Sequence, residues 1–335
     1  MENIRGEENT GRLVCRVFCH STRQPVYGAS VIIKEPHTNH MLKELITNAY
    51  GKTEEIELAS PPVEYSWDIE QLNKPYSVFN IKARADGLEA AVIEGVQIFP
   101  GVTALQDIFL PLSTVIKPHP LFHTYPPKRP EEITKHIPKE TGFIGLDLPL
   151  IPEYIVVHDA APHTEAQNYW LTFRDYIKNV VSGRVYPTWP EAAIKAVVLA
   201  TISFALNRVF TTWYRRDAHN FTITSSTIYD QNFNWGRTIY REIEQITDNI
   251  YNKYITMPGE RQPLLSQYCD GNKVQCGSWL ESWRAKQMAD SGHTYLEILK
   301  DAYGQNINIT TAAKIIGLSQ DKTTGTLPPF HPLTF

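Results

Sequence analysis

The side chains that could do chemistry in this chain fall into a few small groups. His119, His123, His136 and His158 lie in one stretch, but their spacings match no metal-ligand pattern, so no metal site is expected there. Cys269 and Cys276 flank a polar turn, Asp270-Gly271-Asn272-Lys273-Val274-Gln275. Such a turn closes as a small disulfide loop or lends ligands to zinc; with only two thiols and no histidine between them, the disulfide is preferred. Cys15 and Cys19 lie four apart on an expected strand, about 13 Å from each other by strand rise, too far to bond. Tyr229-Asp230-Gln231, Tyr268, Trp279 and Trp283 offer aromatic faces and amide groups suited to sugars, and the same aromatics suit core packing. Glu281 precedes Arg284 by three residues, the spacing of an ion pair on a helix surface. No residue pattern calls for a cofactor.

The elements that position these groups are bounded first by composition. A length of 335 residues sets a prior of about two domains. Lys+Arg 32 against Asp+Glu 36 leaves a net charge of −4, without the basic surplus of a polyanion footprint, so no nucleic-acid partner is expected. Hydrophobic residues at 42% suffice for a packed core. No run approaches about 18 apolar residues without charges, so no membrane span is expected. Residues 1–8 are polar and lack the apolar core of a secretory signal, which predicts synthesis in the cytoplasm without the usual export route.

The chain reads as two unlike halves: a multidomain protein with an N-terminal all-β sandwich followed by a mainly helical α+β domain. Residues 1–10 form an arm. Over 11–113 short alternating runs are separated by turn residues: Leu13, Cys15 and Val17 share one strand face, and further strands are expected at 31–33, 77–83 and 91–98. This spacing predicts a small antiparallel sandwich. The stretch 114–153 holds eight prolines between Pro118 and Pro152, a density that predicts an extended connector. From Thr172 the period is helical. Thr172-x-x-Asp175 caps a short helix ending near Gly183, and Thr188-x-x-Glu191 with Pro190 opens an all-round apolar helix to about Tyr214. Ile239, Ile243, Ile246, Ile250 and Tyr254 mark a third helix, and helices at 280–291 and 295–303 end at Gly292 and Gly304. Residues 310–335 form a second arm, too apolar for a solvated tail and too proline-rich for a helix, the kind of segment that docks on a neighbour.

Two resemblances follow from these residues. Pro25-x-x-Gly28-Ala29-x-Val31, Thr47-x-x-x-Gly51 and Tyr76-x-Val78-x-x-Ile81-x-Ala83-x-x-Gly87 resemble the carboxypeptidase-regulatory-like (transthyretin-like) β-sandwich. Three later segments resemble the SpoIID/LytB family, named after stage II sporulation protein D, a peptidoglycan lytic transglycosylase. They are Asp175-Tyr176-Ile177-Lys178-Asn179-Val180-Val181, Trp189-Pro190-Glu191-Ala192-Ala193 and Ala289-Asp290-Ser291-Gly292-His293-Thr294-Tyr295 with Tyr303-Gly304. The match spans 154–309.

What the family resemblance implies is altered by two departures. The family's general acid closes the first helix, and here Arg184 stands in that place; a guanidinium cannot donate a proton near neutral pH. The family's second signature survives as Cys276-Gly277-Ser278-Trp279-Leu280-Glu281-Ser282-Trp283-Arg284-Ala285, without its histidine. The resemblance therefore implies a pseudoenzyme with no catalytic residue in the family position, with Asp230 and Glu281 as the carboxylates available to replace the acid. Some relatives bind zinc near the two later cysteines. The function expected is a structural or adhesive subunit of a spore-surface or extracellular assembly, self-associating through both arms and reaching the surface after mother-cell lysis. An active transglycosylase and a non-catalytic peptidoglycan binder are the alternatives.

Overall fold

The computed structural model of the chain describes residues 9–113, 121–122, 149–269 and 279–314. His119, His123, His136 and Cys276, with most of the expected connector and arms, lie outside the described residues.

The period-2 pattern of the first half becomes strands β1 (Thr10–Cys19), β2 (Ser30–Lys34), β3 (Met41–Ile46), β4 (Ile56–Ala59), β5 (Ser77–Arg84), β6 (Ala91–Ile98), β7 (Thr103–Leu110) and β8 (Leu121–Phe122). The second half mixes short strands with helices. In order these are β9 (Leu150–Ile151), β10 (Tyr154–His158), β11 (Asn168–Thr172), α1 (Phe173–Ser182), α2 (Glu191–Phe210), β12 (Ile223–Thr224), β13 (Ile239–Tyr240), α3 (Arg241–Ile250) and β14 (Lys253–Thr256). The chain then continues through β15 (Tyr268–Cys269), β16 (Leu280–Glu281), α4 (Ser282–Asp290), α5 (Tyr295–Tyr303), β17 (Asn308–Thr311) and β18 (Ala313–Lys314).

Two sheets make the sandwich, one ordered β3-β2-β5-β6-β8 and the other β13-β7-β1-β4. Leu13, Cys15 and Val17 of β1 are fully buried and share one core with Val31, Ile33, Ile81 and Ile93 of the facing sheet. Burying each such side chain contributes roughly 1.5–3 kcal/mol. The expected all-antiparallel pairing is corrected at the centre: β1 and β7 run parallel from Arg12↔Thr103 to Cys19↔Leu110. Gly51 turns the chain between β3 and β4 at φ +70°, where an added Cβ would meet the Val17 carbonyl oxygen at 2.5 Å, so no other residue fits without movement.

The mixed region packs around α2, of whose twenty residues sixteen are buried. By length and composition the segment Glu191–Asp217 would suffice to cross a membrane; here it is the core helix, ringed by α1, α3, α4, α5 and β14. α1 begins as expected, with the Thr172 side chain accepting from the Asp175 N–H, and α5 carries a full capping box from Thr294 and Glu297. Several helix ends differ from the sequence pattern, among them that of α2, which stops at Phe210 rather than near Tyr214. α2 has Pro190 as its N-cap with no side-chain cap, because Thr188 Oγ1 donates instead to Ser66 Oγ of the sandwich at 2.8 Å. Ile239 and Tyr240 are strand rather than helix, pairing with Leu105 and Ala104 of β7, and Tyr254 lies in β14. The expected start of the C-terminal arm at residue 310 falls inside β17, where Thr310 pairs with Tyr254.

The β-rich and mixed regions are joined by more than their connecting chain. β13 extends the sandwich sheet, Trp189 Nε1 donates to the Ser66 carbonyl at 2.9 Å, and Phe99 packs against Tyr186 and Tyr240. One apolar cluster runs through both, from Leu13 to Ala312.

Candidate functional site

The stretch after α1 turns on two arginines and a glycine. Gly183 ends the helix, and a Cβ there would meet Arg237 Nη1 at 1.7 Å, so the missing side chain makes room for a guanidinium. Arg237 Nη1 donates to the carbonyls of Asn179 and Asn232 at 2.9 and 3.0 Å, holding the end of α1. Arg184 reaches the other way. Its Nε donates to Ser282 Oγ at 3.0 Å and its Nη2 to the carbonyls of Leu280 and Cys269 at 3.2 and 3.4 Å. The guanidinium lies over the Tyr268 ring, 2.9 Å from its centroid. These contacts fasten the parallel pair β15 and β16 to the end of α1. Burial pushes the Tyr268 phenol up to about 12, although Arg184 and Arg237 pull it down.

Asp230 and Gln231 sit deeper. The Asp230 side chain has no exposed surface; it accepts from Arg208 Nε at 2.7 Å, Tyr214 Oη at 2.6 Å, and the Thr224 N–H and Oγ1 at 2.9 and 2.7 Å. Both carboxylate oxygens are thereby committed to the fold. Burial, with the Asp230 charge beside it, pushes the Tyr214 phenol far up, so this hydroxyl stays a donor. Gln231 accepts from Tyr176 Oη at 2.9 Å and donates to the Thr201 carbonyl at 3.4 Å. Asp230 and Gln231 thus belong to one buried polar layer beside α2, and the half-buried Tyr268 lies next to it.

The remaining residues singled out by sequence lie apart from that layer. Tyr229 is 41% exposed at the surface. Trp283 packs against Trp189 and Tyr186, with ring centroids 4.7 and 5.8 Å away. His158 is held at both nitrogens, by Asn168 Oδ1 and the Thr164 carbonyl at 2.8 Å each, and stacks on Phe221. Among the described residues no three His, Cys, Asp or Glu side chains converge as metal ligands. Cys269 is disulfide-bonded while Cys15 and Cys19 are free thiols.

Trp279 lines an open depression of about 550 Å³ with Glu281, Arg284, Asp301, Tyr303 and Gly304. That volume falls within the roughly 300–1,000 Å³ of small-molecule sites. Two helices build it: α4 leaves from β16 and α5 returns, so Arg284 and Asp301 face one another. Arg284 Nε and Nη2 donate to the two Asp301 oxygens at 2.6 and 2.8 Å, a bidentate fork that holds the Asp301 carboxyl below its ordinary range. The Glu281–Arg284 pair expected from helical spacing is replaced by this one. Glu281 is the N-cap of α4 in extended backbone; Asp301 chiefly holds the Arg284 guanidinium above its ordinary pKa, with a smaller contribution from the Glu281 charge. Its side chain makes no capping hydrogen bond to α4. Sequence spacing gave no sign of Asp301, because its partner lies 17 residues away on another helix.

No protein-family model matches the chain, and no curated protein matches it. Solved structures resemble part of it. The Bacillus anthracis TIE protein is 16% identical over 31% of this chain and 17% of its own, with a TM-score of 0.23. The 5-hydroxyisourate hydrolase of Klebsiella pneumoniae is 16% identical over 31% of this chain and 92% of its own, at 0.20. GBS52, the minor pilin of Streptococcus agalactiae, is 15% identical over 32% and 47%, at 0.23. Likeness at this level carries no argument about chemistry, and the β-sandwich stands on its own strand pairing.

Proposed function

We propose that this chain is a structural or adhesive subunit of a spore-surface or extracellular assembly, built on a catalytically degenerate fold of the stage II sporulation protein D kind. The observation that carries the reading is the state of Arg184. Where the resemblance places a proton donor, this chain has a guanidinium that donates to a serine hydroxyl and two backbone carbonyls and lies over an aromatic ring. Asp230, one of the carboxylates considered as a replacement, is buried under four donors and has no access to a glycosidic oxygen. Purified protein incubated with vegetative or spore peptidoglycan is expected to release no anhydro-muropeptides above the buffer level, while forming multimers that deletion of 315–335 abolishes. Release that disappears in Glu281→Gln would overturn the reading.

That substitution also probes the second reading, an active lytic transglycosylase. It is favoured by one observation: Glu281 lines an open depression, where its carboxyl is accessible to a substrate oxygen.

A further inference from the structure

β3 closes one side of the sheet ordered β3-β2-β5-β6-β8, and among the described residues no strand pairs with its outer side. Five of its six residues are exposed, Met41, Leu42 and Ile46 among them, and only Leu45 turns into the core. The hydrogen-bonding direction follows from the end of the strand. The Thr47 N–H donates to the Ala29 carbonyl at 3.0 Å, so in an alternating antiparallel ladder Leu45 and Lys43 bond inward to β2. The N–H and C=O of Ile46 and Glu44 then point to the open side. Their side chains lie on the outer face of the sheet, because Leu45 between them faces the core. An edge of this kind accepts a further strand through its backbone.

A second β3 does not suit that edge. Antiparallel neighbours share a sheet face, so a two-fold pair centred on the strand sets Lys43 against Lys43 or Glu44 against Glu44, and like charges directly opposite destabilise. Residues 1–8 carry Glu2, Arg5, Glu7 and Glu8 and bring few apolar side chains. The stretch Phe330-His331-Pro332-Leu333-Thr334-Phe335 is apolar, and its proline fixes a register. Pro332 has no N–H, so a strand made of this stretch turns Phe330, Pro332 and Thr334 away from its partner and offers it the N–H groups of His331, Leu333 and Phe335. Paired with Glu44 and Ile46, it brings Leu333 and Phe335 to the outer face that carries Ile46, and Pro332 interrupts the ladder on the far side, which ends the sheet there. We infer that β3 takes residues 330–335 of a second copy as an added edge strand. This placement rests on the assembly reading for the source of the strand, and it supplies the surface on which the arm docks. The stretch 315–329 is long enough, at roughly 50 Å fully extended, to reach a neighbouring molecule. Arm and edge are different surfaces, so the contact is head-to-tail and propagates into a ring or filament instead of stopping at a pair.

Binding and assembly are measured separately. A synthetic peptide of residues 326–335 is titrated by calorimetry into the full-length Leu333→Pro chain, whose own arm cannot pair. The peptide is expected to bind. Leu333→Pro in the peptide should weaken it at least tenfold, and Thr334→Pro, whose N–H points away, less than threefold. Leu42→Lys with Ile46→Lys in the chain should also weaken it at least tenfold, at an unchanged thermal midpoint because both side chains are exposed; the two proline peptides decide the matter even if this edge variant fails to fold. Sedimentation then reads assembly. The Leu333→Pro chain and the edge variant should each stay monomeric where the parent multimerises, and their mixture should give one-to-one dimers and nothing larger, since one brings the edge and the other the arm. No peptide binding, equal losses from the two proline peptides, full affinity in a folded edge variant, or peptide binding without dimers in the mixture would each overturn the inference. Multimers that survive both variants but not deletion of 315–335 overturn this placement and leave the assembly reading standing. A monomeric parent whose Leu333→Pro chain still binds the peptide overturns the assembly reading and, with it, the second copy as the source of the strand.

Discussion

Asp230 shows how a carboxylate that looks chemical in sequence becomes structural in the fold. It follows Tyr229 and precedes Gln231, an arrangement suited to sugar binding, yet its oxygens face Arg208, Tyr214 and Thr224 with no exposed surface. Removing its charge leaves the Arg208 guanidinium, itself 7% exposed, without a counter-charge. Asp230→Asn, which keeps the shape, is expected to cost about 3–5 kcal/mol of stability. Urea unfolding followed by circular dichroism measures it, and a loss below about 1 kcal/mol would mean the pair is not what holds this layer together. The donors named here belong to residues 208, 214 and 224, none at a spacing that local pattern reads, whereas Arg184 was legible as an anomaly because only its type, not its contacts, had to be judged.

At the scale of elements, the sandwich and the helices meet through a line of charges. Arg16 of β1 forms a bidentate pair with Asp107 of β7 and reaches Glu244 of α3 at 3.1 Å; Lys178 of α1 reaches Glu244 at 3.4 Å and Asp248 at 3.0 Å. Burial pushes Glu244 up, but Lys178 and Arg16 outweigh it, so its carboxyl is held below the ordinary value of 4.5. A depressed folded value means that the stabilisation is complete above the unfolded pKa and is lost as pH falls through the folded one. Glu244→Gln should therefore cost on the order of 1.5 kcal/mol at neutral pH, and the gap to the parent should close as pH drops from about 4.5. Asp107 beside it is displaced upward by burial, so the comparison of variant with parent, rather than the acid limb of either, isolates Glu244. A pH-independent gap in thermal midpoint would remove this line of charges from the account. Most of these elements were legible where the pattern is local: Leu13, Cys15 and Val17 alternate into the core, and Thr294 and Glu297 cap α5. Ile239 was not, since its spacing continues the helical series into Ile243 while its backbone is drawn off to β7; nor was Thr188, whose hydroxyl is claimed by Ser66 from 122 residues away.

For the molecule as a whole the shared core decides how the two regions behave. A sandwich and a helical domain linked only by a proline-rich connector would unfold separately, each with its own midpoint. Here β13 is hydrogen-bonded into the sandwich sheet, and Phe99, with no exposed surface, packs against Tyr76 of its own region and against Tyr186 and Tyr240 of the other at 5.3–5.6 Å. The ring is part of both cores, so its loss must be felt by both. Phe99→Ala is expected to cost about 3–5 kcal/mol and to lower the protection of amides in β1 and in α2 by the same amount. Native-state hydrogen exchange reads the two elements in one experiment. If only β1 lost protection while α2 kept its own, the contact at Phe99 would be a surface between independent folding units; equal losses make the β-rich and mixed regions one cooperative unit, which fixes the α4–α5 depression rigidly with respect to the sandwich.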